Sequence, residues 1–190
     1  MNIEGRICRL RALEPRDLDA MYEWENDTEA WRASGTAAPF SRHVLSRLID
    51  EQRFDIYATR QLRLVIEPVE PVKPIAPIGP DCADGRGAAV GAVDLFEFDP
   101  QNLRAGVGII VASPCRRRGF AADALAAAER YARETLHLHQ LWCSVAADNA
   151  ASLRLFEKAG YLHCGRRRDW LLAADGERID EILFQKILGK

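Results

Sequence analysis

One stretch constrains this chain more than any other. Residues 119–136 (GFAADALAAAERYARETL) form an Ala- and Leu-rich run of helical character, with strand-like runs at Leu103–Val111 before it and Leu141–Val145 after it. A long helix set between two strands places the chain in the α/β class. The flanking sequence agrees. Arg6–Ala12 alternates polar with apolar and reads as a strand. Pro15 suits the first turn of a helix bearing Leu18, Met21 and Tyr22, and Ser41 caps a second helix with an apolar stripe of Val44, Leu45, Leu48 and Ile49. Strands follow at Leu62–Ile66 and Ala88–Phe98, the latter joined to Leu103–Val111 by the turn formers Asp99-Pro100-Gln101-Asn102. Asn149 opens a helix that stops at Gly160, and two last strands lie near Cys164–Leu172 and Arg178–Leu188. The expected architecture is a mixed central sheet within a single domain, 1–190. Its one interruption is the Pro/Gly-rich segment 68–87, with prolines at 68, 71, 74, 77 and 80. Prolines at that density exclude helix and sheet ladders, so the segment reads as a surface loop; a functional excursion and a neutral insertion are equally open.

Charge and composition then exclude whole classes. With 26 Lys and Arg against 28 Asp and Glu, the 190-residue chain has a net charge of −2 and no global footprint for nucleic acid or an acidic membrane. No apolar run approaches the ~20 residues that cross a bilayer, and the N-terminus lacks the apolar core of a secretion signal. The five cysteines (Cys8, Cys82, Cys115, Cys143, Cys164) are odd in number and scattered, which argues against a disulfide framework and a zinc site and for a reduced, cytoplasmic protein. His137 and His139 offer two donors at most, so no metal is expected.

The chemistry concentrates between Leu103 and Tyr161. Arg116-Arg117-Arg118-Gly119-Phe120-Ala121-Ala122 is a tight basic loop feeding the start of the long helix. A helix start presents unpaired N–H groups and a positive dipole end, and Gly119 lets main chain approach an anion closely; together they suit a phosphate or diphosphate. Three arginines solvating a loop is an equally simple reading. Downstream, Asn149-Ala150-Ala151-Ser152 is at least a helix cap, and its amide can also reach an extended ligand.

Taken in order, Arg116-x-x-Gly119-x-Ala121 after a strand, then Asn149-x-x-Ser152-x-x-x-Phe156-x-x-x-Gly160-Tyr161, resembles the GCN5-related N-acetyltransferase (GNAT) superfamily. The branch it resembles most holds ribosomal-protein N-terminal and spermidine N-acetyltransferases, and the similarity runs from Leu10-Arg11-Ala12-Leu13-Glu14-Pro15 to the last strand with Asp180. The resemblance implies a mostly antiparallel sheet of about six or seven strands, splayed between the fourth and fifth, flanked by about four helices. It implies acetyl-CoA as donor and a primary amine as acceptor, either a small molecule or a protein N-terminus, reacting in a ternary complex; a homodimer is compatible with it. Ile109, Ile110 and Val111, on a bulged strand, would pair with the pantetheine arm, and an N–H there would polarise the thioester carbonyl. The amides of Arg116 to Ala122 would hold the diphosphate, with Arg116, Arg117 and Arg118 adding charge. Asn149 and Ser152 would close the other side.

The sequence departs from the family in two places. Phe156 stands where relatives often carry a general-acid tyrosine, and Gly106 stands where many carry a glutamate. A thiolate of pKa near ~8.5 leaves without an acid, so turnover survives the first change. The remaining candidates for proton handling are Asp94 and Ser144. Alternation puts Asp94 on a face with Ala92, Phe96 and Phe98, where a carboxylate should titrate high and act as base; an ion pair to an arginine such as Arg104 is the competing reading. A structural role competes for Ser144. For the acceptor, Trp24, Glu25 and Trp31 combine acid and rings suited to a cation, against a core role for the tryptophans, and Glu97 faces the other side of its strand. The segment Ser34–Phe40 contains no acid, unlike the acidic cluster of spermidine acetyltransferases, which argues against polyamines. An acetyl-CoA-dependent N-acetyltransferase is thus expected; a CoA-binding sensor on the same fold is the alternative.

Overall fold

Hydrophobic strands that pair in sequence order through one helical crossover, with the last strand then inserted between the two before it, generate the architecture seen in the computed structural model. Residues 3–28, 31, 38–50, 55–70, 89–173 and 175–189 are described. The strands are β1 (Ile3–Glu4), β2 (Cys8–Arg11), β3 (Leu62–Pro68), β4 (Gly91–Asp99), β5 (Arg104–Val111), β6 (Gln140–Ala146), β7 (Leu162–Leu172) and β8 (Arg178–Ile187). The helices are α1 (Leu18–Glu25), α2 (Arg42–Asp50), α3 (Ile56–Thr59), α4 (Phe120–Glu134) and α5 (Ala150–Lys158). One eight-stranded sheet runs β1-β2-β3-β4-β5-β6-β8-β7, antiparallel everywhere except between β5 and β6. The expected six or seven strands and four helices are therefore eight and five among the described residues; β1 and the single turn of α3 are the additions. Most of the Pro/Gly-rich segment, residues 71–88, and residues 34–37 of the acid-free segment lie outside the described residues.

The long crossover helix α4 packs through Ala124, Leu125, Ala127, Ala128 and Ala132, each fully buried. Alanine at these positions brings the helix axis close to the strands, so the apolar area is covered without large side chains. The opposite sheet face is covered over β2–β4 by α1 and α2, through Met21, Trp24, Leu45 and Ile49. Ser41 accepts from the Val44 amide at 3.2 Å, the expected cap of α2.

Two local features decide the geometry of the site. First, β4 and β5 pair without interruption from Gly91–Val111 to Phe96–Gly106, then shift by one residue before Asp99–Arg104. The extra residue is on β4, where Glu97 adopts a left-handed φ of 47° and is exposed. The expected bulge is thus on β4 and not on β5. It reverses the alternation beyond it, so Phe98 leaves the face of Asp94 and Phe96 and packs, buried, against Tyr57 of α3. Second, β5 and β6 pair only at Arg104–Gln140, Ala105–Leu141 and Gly106–Trp142. Beyond Gly106 the two parallel strands part, and the expected splay is present.

Candidate active site

Beyond Gly106 the edge of β5 that faces β6 forms no ladder, so main-chain groups of residues 107–110 on that side are open to an extended ligand, while the Val111 carbonyl accepts from Arg116. Ile109, Ile110 and Val111 line this edge and are half-buried. After β5 the chain makes a 3-10 turn at Ser113–Cys115, with Cys115 buried beneath it, and enters α4 through Gly119 at φ 89°. A side chain other than glycine is strained at that φ. The next amide to be used within the helix is that of Asp123, which donates to the Gly119 carbonyl at 3.1 Å. The amides of Arg117 through Ala122 donate to no acceptor among the described residues. Six open N–H groups at the positive end of a 15-residue helix fit a diphosphate.

The amide of Arg116 is not among them, for it donates to Ser113 O. Its guanidinium turns back to the Val111 carbonyl at 3.1 Å and to Asp27 at 3.5 Å. Arg116 therefore braces the loop against the end of β5, correcting its expected place on the diphosphate. Arg117 and Arg118 are exposed, Phe120 is buried, Ala121 is half-buried and Ala122 is exposed. The loop is fixed from below by Asp123, which is buried and accepts from the amides of Arg6, Ile7 and Cys8 at 2.8–3.1 Å. Burial alone would raise this carboxyl, but the donated hydrogen bonds prevail and hold it below its ordinary range.

On the other wall of the fork, Asn149 accepts from the Ser152 amide at 3.1 Å and so caps α5, leaving its Nδ2 without an acceptor among the described residues. Ser152 is half-buried. Phe156 is core, not groove: it is 4% exposed, edge-on to Tyr161 at 5.0 Å and stacked on Phe184 at 6.5 Å. The Tyr161 hydroxyl is buried beside Glu129, and burial first, then the charge of Glu129, pushes its pKa up, so it releases no proton at ordinary pH.

The face of the sheet covered by α1 and α2 carries the other candidates. By register Arg63, Asp94, Phe96, Gly106 and Gly108 share it with Trp142 and Ser144. Arg63 forks onto Asp94 at 2.8 and 3.0 Å and also binds Glu25. Desolvation acts to lower the Arg63 pKa, but the charges of Asp94 and Glu25 overcome it, and the guanidinium stays protonated. Asp94 is therefore a paired ion, not an isolated base on an apolar face. Its partner is Arg63 and not Arg104, which pairs with Asp99. Ser144 is exposed on the part of β6 that pairs with β8 but no longer with β5. Glu97, on the bulge, lies at the closed end of the fork and does not join these groups. Trp24 is buried at 5%, with its indole N–H unpartnered, so it belongs to the core. Trp31 is half-buried and donates to Glu25 O at 2.7 Å. A cleft of about 550 Å³ between α1, α2 and β3 is lined by Met21, Glu25, Phe40, Val44, Leu48 and Arg63.

Sequence reasoning missed Arg63 and the aromatic pair Phe96–Trp142, whose rings meet edge to face at 5.3 Å. A signal for the pair existed in Gly106 and Gly108, since glycine inside a strand marks a close approach. A Cβ on Gly106 would lie 2.4 Å from the Phe96 ring. Phe96 thus occupies the space beside the position where many relatives carry a glutamate.

A strand that parts from its parallel neighbour, running into a glycine-entered helix with open amides, agrees with comparison to known proteins. A family model described as Acetyltransferase (GNAT) domain matches residues 8–162. The chain belongs to the GNAT acetyltransferase family. As a GNAT enzyme it is an N-acetyltransferase with acetyl-CoA as donor. It is 29% identical over 167 residues to a spermidine N(1)-acetyltransferase of Vibrio cholerae, covering 82% of this chain and 79% of the other. The crystal structure of spermidine N-acetyltransferase from Vibrio cholerae in complex with CoA and spermine superposes with a TM-score of 0.76, at 22% identity over 94% of each chain. A GNAT-family acetyltransferase from Bacillus anthracis does so with 0.74, at 16% identity over the full length of both. At these identities the two structures speak for the fold alone. No described helix is long and apolar enough to cross a membrane, and no described group of His, Cys, Asp and Glu could hold a metal ion.

Proposed function

We propose that this GNAT enzyme transfers the acetyl group to a primary amine by direct attack in a ternary complex, at the fork between β5 and β6. The observation that carries the reading is the succession of two open main-chain surfaces along the chain: the edge of residues 107–110, which has no ladder to β6, and the amides of 117–122. The first would pair with the pantetheine arm, the second with the diphosphate, so the thioester would lie near the fork apex. There the amine nitrogen bonds to the carbonyl carbon, and the C–S bond breaks to release the CoA thiolate. An outward N–H of β5 would meet the developing oxyanion. Holding both reactants side by side supplies a large share of the rate.

Proton handling has little support from side chains. Asp94 is held by Arg63, and Phe156 has no proton to give. Ser144, exposed on the fork wall, is the hydroxyl on hand for the departing sulfur, and solvent takes the ammonium proton. The acceptor class is a small amine or a peptide N-terminus; spermidine, the substrate named for the relative, has against it the pairing of Glu25 and Asp94 with Arg63. A CoA-binding sensor is the second reading, favoured by Phe156 and Gly106. Thiol release from acetyl-CoA across polyamines, amino acids, aminoglycosides and basic peptides separates the two. Amine-dependent release is expected, whereas CoA binding without release from any of them rejects transfer. Self-association is proposed as well. β7 ends the sheet with its outer edge unpaired among the described residues, and Leu162, Trp170 and Leu172 on it are more than half exposed. Sedimentation should give a dimer or larger, and a monomer at high concentration would reject this.

A further inference from the structure

The fork apex is lined by rings, and this says something about the acceptor. Gly106 and Trp142 are the last paired residues of β5 and β6, and Phe96 is paired with Gly106 across β4. The Phe96 ring lies over the bare backbone of Gly106 and meets the Trp142 ring edge to face at 5.3 Å. The two half-buried rings thus form a wedge at the point where the strands part, on the face shared by Asp94 and Ser144. Two residues further along, Gly108 has no side chain, and a Cβ there would touch Phe96 at 3.7 Å and the Asp94 Cβ at 4.0 Å. A ligand entering over Gly108 therefore meets the Phe96 ring and, beside it, Asp94, whose carboxylate is already held by Arg63.

The carboxylates on this face are already engaged. Asp94 and Glu25 share Arg63, and Glu181, on the same face by its register with Ala146, holds Arg167 at 2.6 Å. A polycation would have to displace a half-buried arginine to use them, and breaking such a pair costs more than a surface contact returns. An apolar or aromatic amine needs no such exchange, because ring–ring and ammonium–ring contacts are made directly. We propose that Phe96 and Trp142 set the acceptor specificity, selecting a monoamine carried on an aromatic or apolar group over a polyamine. This rests on the fork being the place of transfer.

The test compares kcat/KM for 2-phenylethylamine and for spermidine, by thiol release from acetyl-CoA, in the wild type and two variants. Phe96→Leu keeps bulk and removes the ring; Gly106→Ala pushes the ring aside from the opposite strand. The ratio of the two kcat/KM values is the readout, because it cancels any difference in folded fraction between proteins. The wild type should favour 2-phenylethylamine by at least about tenfold, roughly 1.4 kcal/mol of discrimination. Whichever variants fold should lose most of that preference while CoA affinity by calorimetry is unchanged. A wild type that prefers spermidine, or a folded Phe96→Leu or Gly106→Ala protein with the ratio intact, overturns the wedge and leaves amine transfer standing. No release from either amine, or from any other amine offered, overturns both.

Discussion

Gly119 does more for the proposed cofactor site than any of the three arginines before it. Its φ of 89° turns the chain into α4 beside six amides, 117–122, that donate to no acceptor among the described residues, while Arg116 binds the Val111 carbonyl. Gly119→Glu should weaken CoA binding at least about tenfold by calorimetry, through a like charge at the diphosphate and about 1 kcal/mol of backbone strain. Gly119→Ala, which carries the strain without the charge, should fall between it and the wild type; equal affinities for all three would reject the cradle. Arg63 makes the opposite case, a charge whose role is to neutralise. Arg63→Met leaves Asp94 and Glu25 without their cation and should lower stability by about 3 kcal/mol in denaturant unfolding; an unchanged midpoint would contradict its place in the structure. Gly119 was legible because sequence order alone sets it at a helix start. Arg63 was not, since the pair it makes with Asp94 joins residues 31 apart and depends on the register of β3 and β4. The expected isolated carboxylate failed for that reason.

Among the elements, α4 both carries the open amides of the proposed cofactor site and anchors the N-terminal turn. Asp123, in its first turn, gathers three amides from residues 6–8. Asp123→Ala leaves those amides without an acceptor and should cost about 2 to 3 kcal/mol, read as a lower unfolding midpoint. A second buried carboxylate, Glu67, is 1% exposed between Arg9 and Arg11. Desolvation opposes its ionisation, but the hydrogen bonds from Arg11 and Arg9 prevail and hold it below the ordinary range. Both carboxyls thus titrate lower folded than unfolded. Their stabilisation is complete above the unfolded value near ~4 and is lost as pH falls through the folded values. Thermal unfolding should therefore weaken steeply below about pH 4, and the Asp123→Ala variant should show a shallower acid slope; identical slopes would contradict the pairing. The main elements were legible because each carries a period long enough to read. β1, with two residues, and α3, with four, are too short for periodicity, and the β4 bulge moved Phe98 to the other face because alternation cannot register an inserted residue.

Across the fold, the decisive property is that β5 and β6 are the only parallel neighbours among the described strands, with three residue pairs before they part. The fork was foreseen only through the family resemblance, since no local pattern announces where two strands diverge. The acceptor side was the least legible part: Trp24 went to the core, Glu97 to the closed end, and the Phe96–Trp142 wedge arises from three strands meeting. The central proposal is that main-chain amides, more than side-chain charge, grip the donor. Amide chemical shifts followed while CoA is titrated into the protein test this most directly. The account predicts the largest changes at Arg117–Ala122 and Ile109–Val111, with pantetheine alone moving only the second group. Saturable CoA binding that leaves Arg117–Ala122 unmoved and shifts amides elsewhere would contradict it.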